Sequence, residues 1–403
     1  MQNELYAKIH GALLAAAVGD SMGTVTEGFA PEFLRSRYGG YVRDLLQPTD
    51  DGLTVNARAG LVSDDFSVAY YTAQVLLEHQ SRITTALAVE GLKRWWQHPE
   101  YTCYCGPSTR RGILKLLGEE AGDAAPSRLD PTFATNGGGM KAGMMGLFNP
   151  GDPAGAVTDA ITMCLPTHGN PISLSAACAV AAAAARAFCP NTGYLDLIAA
   201  GMGGISQCLA QSAGRTAEIA GCSVARRLEL AVELGLRCQD DFEQALFRIG
   251  DTVGAGLYAY EAVPAAFGIL AACKGRLMDS LVMAVNMGSD ADSTACMLGY
   301  VLGAWNGDAE LPPHFSALID SQNGFDLEAM ARGICDLAKE GDVYKRQGLS
   351  CGPWLQEPFS AELQADRGVY KPHRGRLCRQ TPEKLRQDPQ SVGRQHPKSR
   401  GWP

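Results

Sequence analysis

Glu4-Leu-Tyr-Ala-Lys-Ile-His-Gly-Ala-Leu-Leu-Ala-Ala-Ala-Val18 places Leu5, Ile9, Leu13 and Ala16 at helical spacing. The following Gly19-Asp20-Ser21-Met22-Gly23 is expected to break that helix. Working outward, apolar periodicity predicts a second helix over 65–80, with Ser63 or Asp64 as its N-cap. Further helices are predicted over 83–96, 109–117, 153–164, 172–188, 194–210, 240–250, 264–273, 277–285, 291–305 and 326–340. Alternating β patterns are scarce, and no fixed-period repeat marks a solenoid. The expectation is an all-α fold, one compact multi-helix domain with glycine-rich connections supplying the site.

Composition agrees with close helix packing. Of 403 residues, 46% are hydrophobic, 19% are charged and 46 are glycine, and the run 176–187 is rich in alanine. That balance supports a substantial core, and small side chains let helices approach one another closely. The formal charge of −8 argues against a nucleic-acid surface. Thirteen cysteines are an odd number, and Cys178, Cys208, Cys273 and Cys296 sit in apolar runs. Reduced, buried thiols and a cytoplasmic setting follow more readily than a disulfide framework. Cys103-x-Cys105 has soft-metal ligands, but no second Cys/His pair accompanies it at suitable spacing. The short apolar run from Leu13 to Val18 resembles a signal-peptide core, yet Glu4 and Asp20 flank it. No charge-free run is long enough for a membrane span.

The character of the chain changes near Val343. Residues 344–403 hold 12 Lys/Arg against 5 Asp/Glu and 7 prolines, without apolar periodicity. The expected organisation is therefore a catalytic domain over 1–342 and a basic, proline-rich tail over 343–403. That tail reads as disordered, or as non-native beyond a junction at Val343-Tyr344-Lys345-Arg346-Gln347.

Chemistry concentrates in two acidic clusters, Ser63-Asp64-Asp65 and Asp290-Ala291-Asp292-Ser293, each set in an apolar stretch of small residues. Carboxylates crowded together in such a setting repel one another and lose solvation unless a cation compensates. Hard divalent ions take carboxylate, hydroxyl and water oxygens, so a metal site assembled from both ends of one domain is the first reading. Taken singly, each cluster reads equally as a helix cap favoured by the dipole. Glu27 alone could be a solvated surface residue, and the glycines at 137–139 a plain turn. His168 could cap or pack as well as touch substrate. Asp20 could support the first turn and order the loop of Glu27, or act directly in catalysis. Trp95, Trp96, Tyr101 and Tyr104 read as packing, with base stacking left open.

Gly19-Asp20-x-x-Gly23-x-x-x-Glu27, Ser63-Asp64-Asp65, Asn136-Gly137-Gly138-Gly139-Met140-Lys141 and Gly288-Ser289-Asp290-Ala291-Asp292-Ser293 occur in that order. The order and spacing resemble the ADP-ribosylglycohydrolase family over roughly residues 5–307. The resemblance implies a compact helical fold, two Mg²⁺ (or Mn²⁺) ions and cleavage at the ribose C1″ of ADP-ribose. It implies metal ligation by Ser63, Asp64, Asp65, Asp290, Asp292 and Ser293, with Glu27 beside the metals in a catalytic or gating role. It places Asn136, Gly137, Gly138, Gly139 and Met140 near the distal ribose and phosphates, and His168 beside the site. Serine at 63 and 293 replaces the usual threonine but keeps an oxygen ligand. Phe66 replaces a small hydroxyl residue, Ser289 and Ala291 replace Gly and Thr, and Lys141 replaces an arginine.

The expected activity is that of a Mg²⁺-dependent hydrolase that releases ADP-ribose from a modified protein or a small ADP-ribose-containing molecule. Glu27 is the first choice of general base and Asp65 the second. A weakened anion loop at Lys141 leaves room for an N-glycosidase acting on a nucleoside. A non-catalytic ADP-ribose-binding protein is the third reading. Neither a membrane nor a nucleic acid is an expected partner.

Overall fold

Small residues at every fourth position decide how this chain packs. In the computed structural model, residues 2–49, 52–54, 57–119, 130–216 and 219–340 are described. The expected boundary at 342/343 and the tail behind it lie outside the described residues. Seventeen α-helices form among them, and the one isolated β-bridge joins Thr135 to Tyr258. They run α1 (Gln2–Gly23), α2 (Pro31–Tyr38), α3 (Asp64–Glu78), α4 (Thr85–Trp95), α5 (Pro99–Thr102) and α6 (Pro107–Leu117). Next come α7 (Gly139–Phe148), α8 (Pro153–His168), α9 (Pro171–Arg186), α10 (Tyr194–Ser212) and α11 (Val224–Arg237). The last are α12 (Phe242–Thr252), α13 (Ala259–Ala272), α14 (Leu277–Met287), α15 (Ala291–Asn306), α16 (His314–Asn323) and α17 (Leu327–Glu340).

The all-α expectation holds, with two corrections. Gly19 to Met22 do not break the first helix, which continues to Gly23. They lie with Gly11 and Ala15 along one i, i+4 ridge of α1. That ridge meets a matching one on α15: Ala295, Gly299 and Gly303, ending at Gly307 beyond the helix. A β-carbon at Gly11 would lie 2.4 Å from the carbonyl carbon of Gly307, and one at Gly19 would lie 2.5 Å from the Ala295 oxygen. At Gly23 it would lie 2.2 Å from the Cα of Asp292. The two helices therefore run antiparallel with backbones almost touching. A glycine in a helix costs about 1 kcal/mol against alanine, and here that loss is offset by the contact it permits.

The second correction concerns 136–141. The glycine run was expected to be a connection, but Asn136–Gly138 form a single 3₁₀ turn that leads directly into α7. The glycines of α7 face neighbours rather than solvent: β-carbons at Gly143 and Gly146 would strike the Tyr300 ring and Ala184. Helices α2, α5, α7, α11 and α16 have no counterpart among the helices predicted from sequence.

The alanine-rich α9 is buried from Ser173 to Ala185 and packs against α7, α8, α10 and α13. A helix apolar all round belongs at the centre of a domain. Phe66, which replaces a hydroxyl residue, joins this core, its ring 6.0 Å from Tyr300 and 5.9 Å from Phe325. Cys178, Cys208, Cys273 and Cys296 are free and buried, as read from the sequence, and so is Cys164, whereas Cys103 is exposed and Cys105 buried. No described helix is long and apolar enough to cross a membrane.

Gly299→Ala tests the helix contact away from the acidic motifs, because its new methyl would lie 2.3 Å from the Ala15 oxygen. We expect a loss of about 1–3 kcal/mol, read as a lower urea midpoint. An unchanged midpoint would show that α1 and α15 can separate freely.

Candidate functional site

The first turn of α3 is built to carry charge. Ser63 is its N-cap, and the serine oxygen accepts from the Asp65 N–H at 3.2 Å. Asp20, on α1, accepts from the Ser63 N–H through Oδ1 and from the Phe66 N–H through Oδ2, each at 2.8 Å. Behind the turn, Trp95 Nε1 donates to Ser67 Oγ at 2.9 Å, and Ser67 Oγ donates to the Ser63 carbonyl at 2.7 Å. Orphan N–H groups at a helix start are thus satisfied by a carboxylate from another helix. Sequence reading left Asp20 between several roles, and this geometry makes it the residue that anchors the Ser63-Asp64-Asp65 turn.

The second acidic motif opens α15 after a strained corner. Gly288 has φ +67°, and a β-carbon there would lie 1.9 Å from the Phe29 oxygen. Ser289 follows with φ +60°, a left-handed conformation that a non-glycine residue adopts at a cost. The corner is stapled to the loop carrying Glu27: the Gly28 N–H donates to the Ser289 carbonyl at 2.8 Å, and the Ser289 N–H donates to the Phe29 carbonyl at 3.4 Å. The Asp290 N–H donates to the Ala255 carbonyl at 3.0 Å, and Asp290 Oδ2 accepts from Asn136 Nδ2 at 2.9 Å. Asp292 Oδ1 accepts from the Ser293 N–H at 3.0 Å. Ser293 Oγ donates to Asp65 Oδ1 at 3.1 Å, joining the two motifs directly.

Carboxylate oxygens of Asp65, Asp290 and Asp292 lie within 4.8 Å of one another, and these three could hold a metal ion. Asp65 Oδ2 is buried without a hydrogen-bond partner. Burial, with the Asp290, Asp64 and Asp20 charges, pushes Glu27 up to about 8. Burial raises Asp20 to about 7, and burial with Asp20 and Asp290 raises Asp64 to about 7. Burial likewise raises Asp290, and burial with neighbouring carboxylates lifts Asp65 and Asp292 well above their usual range. An orphaned carboxylate oxygen among acids that resist ionising together fits a cation, whose charge would let them ionise.

The glycine turn stands next to this cluster, tied in by the Asn136–Asp290 hydrogen bond. The Asn136 N–H donates to the Leu257 carbonyl at 2.9 Å. Gly137 lies against His168, since a β-carbon there would be 2.7 Å from the imidazole Nε2. Gly138 and Gly139 are buried against Ala177 and Met297 respectively. Met140 is buried in α7, its carbonyl 3.7 Å from Cys296 Sγ, so its side chain belongs to the core. Lys141, expected near the anion loop, is 1% exposed and donates from Nζ to Thr167 Oγ1 at 2.9 Å. Trp95 and Tyr101 are core residues, the Tyr101 hydroxyl donating to the Asn323 carbonyl at 3.2 Å.

Comparison with known proteins agrees with this arrangement. The sequence profile of the family described as ADP-ribosylglycohydrolase matches residues 1–347. The chain belongs to the ADP-ribosylglycohydrolase family. It is 25% identical over 340 residues to the uncharacterized protein YegU of Escherichia coli K12, covering 83% of this chain and 98% of that one. It is 23% identical over 350 residues to the ADP-ribosylarginine hydrolase Tri1 of Serratia proteamaculans, covering 85% and 82%. A solved chain from an ADP-ribosylglycohydrolase-related protein complex superposes with a TM-score of 0.59 at 21% identity, covering 83% of this chain and 99% of that chain. That likeness supports the helical fold. Membership makes this ADP-ribosylglycohydrolase an enzyme, a hydrolase of glycosidic type.

The raised carboxyl groups give a testable sign. Asp20 and Asp64 go from 3.8 to about 7 on folding, and Glu27 from 4.5 to about 8. A group raised in the folded state contributes stability that is complete below its unfolded value and is lost as pH rises through its folded value. In EDTA, the melting temperature should therefore fall between pH 4.5 and about 8. Excess Mg²⁺ should flatten that fall, because a bound cation favours the ionised carboxylates. Parallel curves with and without Mg²⁺ would mean that the cluster takes no cation.

Proposed function

We propose that this ADP-ribosylglycohydrolase hydrolyses the bond between C1″ of ADP-ribose and the guanidinium nitrogen of a modified arginine. The observation that carries the reading is the convergence of Glu27, Asp64, Asp65, Asp290 and Asp292 around an unpartnered Asp65 oxygen, one hydrogen bond away from the glycine turn. Two curated relatives bear the name ADP-ribosylarginine hydrolase, which supports arginine as the acceptor. Water adds its oxygen to C1″, the C1″–N bond breaks, and the proton released by water returns to the leaving guanidine.

Asp64, Asp65, Asp290 and Asp292, with the Ser63 and Ser293 hydroxyls, would hold two Mg²⁺ or Mn²⁺ ions. Such ions supply Lewis acidity for the ribose hydroxyls and the attacking water when bound. Glu27 is less buried than Asp65 and stands on a loop rather than in a helix, which favours it as the general base. Asp65, held by Ser293 and facing inward, is better suited to holding a cation than to moving protons. The start of α7, entered through the Asn136–Gly138 turn, offers a positive helix end to the diphosphate. Lys141 is turned onto Thr167, so the N-glycosidase alternative keeps its motive, and a simple nucleoside in the same assay distinguishes it.

The test is release of free ADP-ribose from arginine-linked and serine-linked peptides, with Mg²⁺ and with EDTA. The arginine-linked peptide should be cleaved only with the metal. Glu27→Gln should lower turnover by about 10²–10⁴-fold while the fold persists. Asp290→Ala should remove metal-dependent activity. Full activity in EDTA, or in Asp290→Ala, would sink the reading, and cleavage of the serine-linked peptide alone would change the acceptor.

A further inference from the structure

Three polar side chains stand in line behind the glycine turn, and nothing above gives them a joint task. Lys141 on α7 and His168 at the end of α8 are each 1% exposed. Lys141 Nζ lies 2.9 Å from Thr167 Oγ1, and Thr167 Oγ1 lies 2.8 Å from His168 Nδ1. An ammonium has three donors and no acceptor, so the Thr167 oxygen accepts from Lys141. Among the described residues the threonine hydroxyl has no other acceptor for its single proton, which assigns that proton to His168 Nδ1. Burial and the nearby Lys141 charge hold His168 well below its usual protonation range, so the ring is neutral. A neutral ring whose Nδ1 accepts carries its proton on Nε2. That Nε2 is buried without a partner, against Gly137. Thr167 itself is seated by Gly112, where a β-carbon would lie 2.7 Å from the threonine methyl.

We propose that Lys141 and Thr167 are positioning residues: they fix His168 as the Nε2–H tautomer and direct that N–H at the back of the Asn136–Gly138 turn. Each dipole in the line turns its positive end toward the turn, with Lys141 behind them, its pKa lowered by burial and raised in part by the Cys164 and Asp64 charges. The line thereby strengthens the pull of the turn on an anion. The ring edge is closed off from solvent, so Lys141 acts through Thr167 and His168 rather than by touching the ligand. A lysine at 141 serves this purpose where an arginine fork would not be accommodated by a single hydroxyl. The inference rests on the reading that the turn receives the diphosphate of ADP-ribose.

Two measurements on the full chain test it. The first is the tautomer of His168, read from ¹⁵N shifts of histidine-labelled protein and assigned by the signals lost in His168→Gln. The second is binding of ADP-ribose and, as a phosphate-free control, adenosine. In the wild type, Nε2 should carry the proton and Nδ1 should not. Thr167→Ser keeps the hydroxyl and should keep both the tautomer and the affinity. Thr167→Val keeps the shape but loses the relay, so His168 should no longer be held in one tautomer. ADP-ribose should then bind about tenfold more weakly, and adenosine should bind as before. Lys141→Met should behave like Thr167→Val.

A wild-type His168 protonated at Nδ1 would overturn the proposal. So would a folded Thr167→Val protein with unchanged ADP-ribose affinity, or an equal loss for adenosine. A wild-type protein with the expected tautomer that binds no ADP-ribose would overturn the functional reading, and the anion-binding part of this inference with it.

Discussion

The contact between α1 and α15 is the constraint on which the rest depends. Gly11, Ala15, Gly19 and Gly23 on one side meet Gly307, Gly303, Gly299 and Ala295 on the other, close enough that no larger side chain fits between them. Helices with ordinary side chains at their contact keep their axes about 8–10 Å apart, and a backbone-to-backbone contact sits at or below that range. Its consequence is chemical. Asp20 and Asp292 stand on facing helices near the same end of this seam, and Gly23 rests on the Asp292 backbone. From there Asp20 reaches the start of α3 and Ser293 reaches Asp65. Residues from three distant parts of the chain thus share one small volume because two glycine ridges interlock.

That volume holds a conflict which the fold does not resolve by itself. Six acids, Asp20, Glu27, Asp64, Asp65, Asp290 and Asp292, are all raised by burial, most of them further by one another. Protein donors satisfy part of the demand: backbone N–H groups of Ser63 and Phe66, the Asn136 amide and the Ser293 hydroxyl. None of these is a cation, and the orphaned Asp65 oxygen measures what is left over. Clustered acids of this kind destabilise a protein at neutral pH unless something positive joins them. Their persistence beside a strained Ser289 is what a site built for function looks like, since packing alone would favour apolar residues there.

Much of this was legible in the sequence. The helical period of Leu5, Ile9 and Leu13 and the scarcity of strand patterns gave the fold class, and two acid pairs in apolar surroundings gave the candidate site. What sequence reading missed has a common cause. Gly19 and Gly23 were taken as breakers because a glycine carries no mark of the neighbour it admits, and Asp292 lies far away in the chain. Asp20 was ambiguous because its partners, the Ser63 and Phe66 amides, are backbone groups that every residue has. The sequence shows Lys141 only as a replacement for an arginine in the anion loop, and its burial on Thr167 is not legible there, although its apolar neighbours in α7 hint at it.

The site divides into parts held in different ways. Asp64, Asp65 and Asp292 stand in the first turns of α3 and α15, and Asp290 caps α15, so their backbones are fixed by helix hydrogen bonds and by the seam. The geometry of a divalent site tolerates little movement, and helices supply that rigidity. Glu27 instead follows α1 on a short loop held by the Gly28–Ser289 and Ser289–Phe29 hydrogen bonds. The Glu27 N–H also donates to the Gly23 carbonyl at 2.9 Å, so its backbone is pinned to the end of α1 as well. The glycine turn is anchored by Asn136 to Asp290 on one side and backed by His168 on the other. Rigid acids, the glutamate turn and the backed glycine turn therefore meet at one corner, Ser289-Asp290, which ties all three together.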